Sequence, residues 1–222
     1  MARVLALAGW GQPYDALAGI VPEATHFDYA DYETAADAVS AIAAQAKTHE
    51  VVVGWSLGGQ LAVRVLAGGK LGVKKLVLIA VPYQFVESPA LKLGMPRDAF
   101  EKFCRDYEKN PARTLNKAWE LAVMGDDHED AIRQRIAHAD KAKVLAKDWL
   151  KWLHQLDEFT CETLRFDDFP PTLLVYGEND MVVAPEQSRH FARVIPQAKL
   201  VVWKGCGHAP HWHDQARLKQ HV

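Results

Sequence analysis

Short apolar runs punctuate the chain, and longer stretches with helical spacing lie between them. Val4–Ala8 stops at Gly9, Val51–Val53 at Gly54, Lys75–Val81 at Pro82, Thr172–Tyr176 at Gly177, and Lys199–Trp203 shortly before Gly205. Runs this short, rich in Val, Leu and Ile and closed by turn residues, predict strands buried on both faces. Ala24–Tyr29 is a weaker sixth candidate. Ala35, Val39, Ile42, Ala43 and Ala46 recur at helical spacing and predict a helix with one apolar face. Leu57–Ala67 predicts a second helix, ended by Gly68-Gly69. Pro185–Val194 predicts a third, with Pro185 suited to the first turn, and His211–His221 a last one. Strand–helix alternation predicts an α/β fold, a mostly parallel sheet of about six strands with helices on both faces.

The alternation stops between Pro82 and Pro171. That stretch carries amphipathic segments and three of the seven tryptophans, Trp119, Trp149 and Trp152. It predicts an all-helical lid over residues 82–170, inserted into a core of residues 1–81 and 171–222. The three tryptophans are read as lid core, one of them bordering a substrate tunnel at most. No internal repeat or low-complexity tract is present.

Composition narrows the class. Hydrophobic residues make up 49% and charged residues 24% of 222, which fits one globular domain with an insertion and excludes a disordered chain. Lys and Arg number 26 against 28 Asp and Glu, so the net charge of −2 lacks the positive excess that nucleic-acid binding draws on. No apolar run approaches the roughly 18 residues of a membrane span. Arg3 and the apolar residues after it are too short for a secretory leader and run into Gly9-Trp10-Gly11, so they are read as a first strand. Three cysteines without a CxxC pair point to a reducing compartment and no disulfide framework. A cytoplasmic monomer is expected.

The segment Val51-Val-Val-Gly54-Trp55-Ser56-Leu57-Gly58-Gly59 carries the chemistry. A strand, then G-x-S-x-G, then a helix predicts a sharp turn that lifts the Ser56 hydroxyl above the sheet at a helix N-terminus. Flanking side chains would collide there, and Gly54 and Gly58 remove them. The bland reading is a glycine turn with Ser56 as a cap. A serine nucleophile needs a base, and the base an orienting acid, in the chain order Ser, Asp or Glu, His. Gly177-Glu178-Asn179-Asp180 and Gly205-Cys206-Gly207-His208 follow strands on the same rim. Asp180 is the expected acid, with Glu178 as rival. His208 is the expected base, ahead of His211 and His213. The oxyanion donors are expected from the backbone N–H groups of Leu57 and Trp10. Cys206 is read as loop packing. His208-x-x-His211-x-His213 offers three imidazoles, but only Cys206 and Asp214 stand near to complete a set. No metal and no cofactor is expected.

These residues resemble the α/β-hydrolase family over nearly the whole chain. Within it, Gly9-Trp10-Gly11, Gly-Trp-Ser-Leu-Gly-Gly (54–59) and Gly207-His208-Ala209-Pro210 resemble the carboxylesterases that act on pimeloyl-acyl-carrier-protein methyl esters in biotin synthesis, as does the segment from Pro96 to Gly125. The resemblance implies a Ser56, Asp180 and His208 triad, an oxyanion hole at Trp10 and Leu57, and Phe103 to Tyr107 lining an acyl tunnel beside Trp10, Leu57 and His208. It implies an acyl ester substrate carried on an acyl-carrier protein, gripped by Arg113 and Lys117. Residues 90–119 hold seven cations against four anions, a balance able to steer an acidic partner, although most of these residues individually read as a solvated helix surface. Three features depart from the family pattern. Ala8 stands where a His usually precedes the oxyanion glycine, the antiparallel first edge strands are not seen, and Asp28-Tyr-Ala-Asp-Tyr-Glu33 replaces a glycine-rich turn. A general short-chain carboxylesterase, a carbon–carbon bond hydrolase and a small-molecule receptor on the same fold remain alternatives.

Overall fold

The structure, a computed structural model, describes residues 2–137 and 139–222; Met1 and His138 lie outside the described residues. Six strands pair in parallel in the order β2-β1-β3-β4-β5-β6: β1 (Val4–Leu7), β2 (Thr25–His26), β3 (Val51–Trp55), β4 (Lys75–Ile79), β5 (Thr172–Gly177) and β6 (Ala198–Trp203). The weak sixth candidate pairs through only Thr25 and His26; Tyr29–Asp31 instead coil into a 3-10 turn capped by Asp28.

Strand residues alternate between two cores, as the two-residue repeat of a strand requires. Leu5, Leu7, Val52, Leu76, Leu78, Leu174 and Tyr176 face one side. There they meet α1 (Ala35–Ala46), α2 (Leu57–Ala67) and Phe191 of α8 (Ser188–Val194). Ala6, Val53, Trp55, Val77, Ile79, Val175 and Trp203 face the other side. Leu17, Ile20 and Val21, in a segment of turns rather than a helix, cover that side together with Leu218. The last helix is broken at Asp214 into α9 (Pro210–His213) and α10 (Gln215–Lys219), because the Asp214 side chain accepts from Arg217 N–H and restarts the helix as its cap.

Among the described residues five helices stand between β4 and β5: α3 (Arg97–Lys109), α4 (Pro111–Val123), α5 (Glu129–Ala137), α6 (Lys141–Leu145) and α7 (Leu150–Glu158). Trp119, Trp149 and Trp152 are buried in this helical lid. Chain order and sheet order diverge at β1, which has β2 on one side and β3 on the other. The carboxyl ends of β1 and β3 therefore flank a topological switch point, where open α/β sheets bind ligands. Among the described residues no helix is long and apolar enough to cross a membrane.

Candidate active site

Ser56 stands between β3 and α2 with φ 50° and ψ −120°, a conformation that costs a residue with a side chain roughly 1–3 kcal/mol. Packing enforces it. A Cβ on Gly58 would lie 2.3 Å from Leu7 O and 2.4 Å from Ala8 O, and one on Gly54 would lie 2.5 Å from Gly59 Cα. The start of α2 thus presses against the end of β1. Leu57 is the first helical residue, so its N–H has no acceptor within the helix.

Asp180 and His208 come from the loops after β5 and β6. Those loops are zipped together by Glu178 N–H to Trp203 O at 2.9 Å and Asn179 N–H to Cys206 O at 2.9 Å. His208 Nδ1 and Asp180 Oδ2 are hydrogen-bonded at 2.8 Å, both side chains buried. The other Asp180 oxygen accepts from Val182 and Val183 N–H at 2.8 Å each, which fixes the carboxylate. Glu178, the rival acid, is exposed. Trp55 donates its indole N–H to His208 O at 2.9 Å. Ser56 and His208 line one cavity, and among the described residues no hydrogen bond joins their side chains. Such bonds commonly tighten only around substrate.

Trp10 follows β1 and faces the same cavity. With Ala8 in place of a histidine, its loop is held from outside. Tyr29 donates its hydroxyl to Ala8 O at 2.8 Å, Trp119 its indole N–H to Gly11 O at 2.7 Å, and Trp10 its own to Trp149 O at 2.8 Å. Burial, then the Asp28 charge, push the Tyr29 phenol well above its usual pKa, so it stays a neutral donor. The Asp28–Glu33 segment thus supplies an anchor, and two of the lid tryptophans serve the loop as well as the lid core. The sequence signal for these contacts was a missing residue at position 8, which marks a need without naming what fills it.

The cavity measures about 70 Å³ and is mostly apolar, walled by Phe85, Phe103, Leu121, Leu153, Leu156 and Val182 among others. Phe103 contributes to the wall, but Tyr107 does not. Tyr107 lies behind the Trp10 ring, centroid to centroid 5.7 Å, because it sits one helical turn along α3 from Phe103. Likewise the Leu57 side chain is fully buried in the core and does not line the cavity. Arg113 and Lys117 line an open groove of about 670 Å³ on the outer face of α4, separated from the cavity by Leu121, which borders both. Lys102 pairs with Asp106 and Arg97 with Asp157, whereas Arg113 and Lys117 have no ion pair among the described residues.

The three imidazoles near the C-terminus do not converge. His208 turns to Asp180, and His213 Nδ1 binds Asp126 Oδ1 at 2.8 Å. His211 is buried beside Trp55 with both ring nitrogens unpartnered. Asp126, His128 and His213 offer ligand atoms within 4.8 Å of one another. The two rings are tilted at 30° with centroids 4.6 Å apart, and His213 Nδ1 is already engaged by the Asp126 carboxylate. Cys206 is fully buried, and burial followed by Asp126 pushes its thiol far up from the ordinary value.

The family model of the α/β hydrolases matches residues 2–220. The chain belongs to the α/β-hydrolase family. Among curated relatives, this α/β hydrolase is 29% identical over 164 residues to a pimeloyl-[acyl-carrier protein] methyl ester esterase of Nitrosomonas europaea, covering 72% of this chain and 64% of that protein. It is 28% identical over 184 residues to the protein of the same name from Aromatoleum aromaticum, covering 78% and 73%. The chain thus spans a little under two thirds of the Nitrosomonas protein's length. An esterase of Exiguobacterium antarcticum superposes with a TM-score of 0.81 at 17% identity, over 100% of this chain and 91% of that one, a likeness of fold.

Proposed function

We propose that this α/β hydrolase is a serine carboxylesterase that cleaves the methyl ester of a pimeloyl chain carried on acyl-carrier protein. The observation that carries the reading is the buried 2.8 Å Asp180–His208 pair facing the strained Ser56 turn across one apolar cavity. The names of the relatives support the substrate. In this reading His208 Nε2 takes the Ser56 proton as Oγ attacks the ester carbonyl, and Asp180 holds the Nδ1–H tautomer and stabilises the imidazolium. The N–H groups of Trp10 and Leu57 receive the oxyanion. The tetrahedral intermediate collapses, and His208 gives its proton to the departing methoxide, releasing methanol. Water, deprotonated by His208, then frees the acyl chain as a carboxylate and restores Ser56. Residues 82–170 act as the lid, the apolar walls take the methylene chain, and Arg113 and Lys117 meet the acidic carrier outside. The protein works as a cytoplasmic monomer without metal or cofactor.

The small volume of the cavity favours one second reading, a general esterase for short acyl chains. Purified protein is assayed on the carrier-bound methyl ester and on p-nitrophenyl butyrate. A kcat/KM far higher on the former supports the first reading, and equal or better rates on the aryl ester support the second. Ser56→Ala lowers both activities by roughly 10⁴-fold with the fold intact. Unchanged turnover in that variant removes Ser56 as nucleophile under either reading.

A further inference from the structure

The loop that carries His208 is tied to the lid as well as to the core. His208 N–H donates to Ala122 O at 3.0 Å, near the end of α4, and Asp127 N–H donates to Gly205 O at 2.7 Å. Between these two ties, Gly207 N–H donates to Asp126 Oδ2 at 2.8 Å. Asp126 is buried in the turn between α4 and α5. Its other oxygen accepts from His213 Nδ1 at 2.8 Å and from His128 N–H at 2.8 Å. Every partner of this carboxylate is therefore a donor, and one of them is the peptide N–H immediately before His208. A buried carboxylate costs several kcal/mol unless donors surround it, so this one fixes the positions of the groups around it. Apolar packing alone would close the lid turn. A carboxylate at this point adds direction.

We propose that Asp126 is a positioning residue for the base: acting through the Gly207 peptide, it keeps the His208 ring between Asp180 and Ser56. This rests on the reading of His208 as the base. Misplacing a reacting group by about 1 Å costs on the order of 10²-fold in rate, so a modest loop shift is enough to register. Ala122, which bears the first of these ties, also walls the cavity with Ala118 and Leu121 of the same helix.

The test compares Asp126→Asn and Asp126→Ala with Ile132→Val, a buried α5 residue away from the His208 loop. The amide of Asn turns one acceptor into a donor that must face either Gly207 or His128. Expected for Asp126→Asn are a kcat on p-nitrophenyl butyrate at least fivefold below the parent, KM within twofold, and labelling of the serine by a fluorophosphonate slowed by the same factor as kcat. Asp126→Ala loses more. Ile132→Val lowers the melting temperature without this loss, which is how a merely structural role would behave. A folded Asp126→Asn with kcat and labelling within twofold of the parent overturns the proposal. If neither Asp126 variant folds, amide exchange on the unmutated protein decides. Protection of the Gly207 and His208 amides matching the end of α4 supports the tie, and exchange at exposed-loop rates overturns it. Ser56→Ala and His208→Ala assayed alongside separate the two readings. Full activity in either removes the parent reading, whereas their inactivity beside an unaffected Asp126→Asn removes this one alone.

Discussion

His208 and His211 share one short stretch of chain and meet opposite surroundings. The first has a carboxylate at 2.8 Å; the second has its ring centroid 4.3 Å from that of Trp55 and, among the described residues, no hydrogen-bond partner on either nitrogen. Burial, and then the neighbouring charges of His208 and Arg135, hold the His211 pKa well below 6.5. The folded protein therefore keeps this ring neutral while the unfolded chain protonates it near pH 6.5. The stability tied to His211 is complete above that pH and declines below it, by up to about 1.4 kcal/mol per pH unit for one group. His211→Phe keeps a ring between Trp55 and Trp212 and removes the titration. Urea unfolding at pH 7.5 and pH 5.0 should show the parent losing more stability across that interval than the variant. Equal losses would mean that His211 is protonated in the folded state. Any packing cost of the larger ring is the same at both pH values and cancels from the comparison.

At the scale of elements, the decisive contact is that of α2 on β1. A methyl group on Gly58 meets two backbone carbonyl oxygens, Leu7 O and Ala8 O, which cannot turn aside as a side chain can. Gly58→Ala is expected to cost about 3 kcal/mol or more, read as a drop in melting temperature or in soluble yield, and to lower activity in whatever folds. A variant with parental stability would show that the helix can slide along the strand. Five of the described strands were legible in the sequence because each is a short apolar run closed at or near a Gly or Pro, whereas Thr25–His26 carries little such signal; the serine turn was legible because only glycines fit between two packed elements. Asp180 and His208 were legible because each follows a strand end within a few residues. The rest depends on contacts between segments far apart in the chain. Nothing local marks Tyr29 as the anchor of Ala8, places Tyr107 behind Trp10 instead of in the cavity wall, or pairs Asp126 with Gly207. His211–His221 reads as one helix in the sequence, and the break shows only where the Asp214 side chain accepts from Arg217 N–H.

For the molecule as a whole, the distribution of charge says more than its sum. The chain is net acidic, yet residues 90–119 carry seven cations against four anions. Lys102 with Asp106 pairs inside that count, and Arg97 is met from outside it by Asp157. Among the described residues Arg113 and Lys117 have no ion pair; they stand beside exposed Met124, on the outside of the helix whose inner face walls the cavity. Under the proposed function an acidic carrier approaching this face gains attraction before contact, on the outer side of Leu121, which borders both groove and cavity. Steering of this kind acts on association and is screened over about 10 Å at 0.1 M salt. Arg113→Glu with Lys117→Glu reverses the local field by four charges without touching the cavity wall. The double variant is expected to lose roughly tenfold or more in kcat/KM on a carrier-bound ester at low ionic strength, with the gap narrowing as salt is raised. On p-nitrophenyl butyrate, which carries no charge to steer, it should lose far less. Equal losses on the two substrates would assign these cations to the stability of α4 instead, and a loss independent of salt would place their effect in direct contact rather than in the approach.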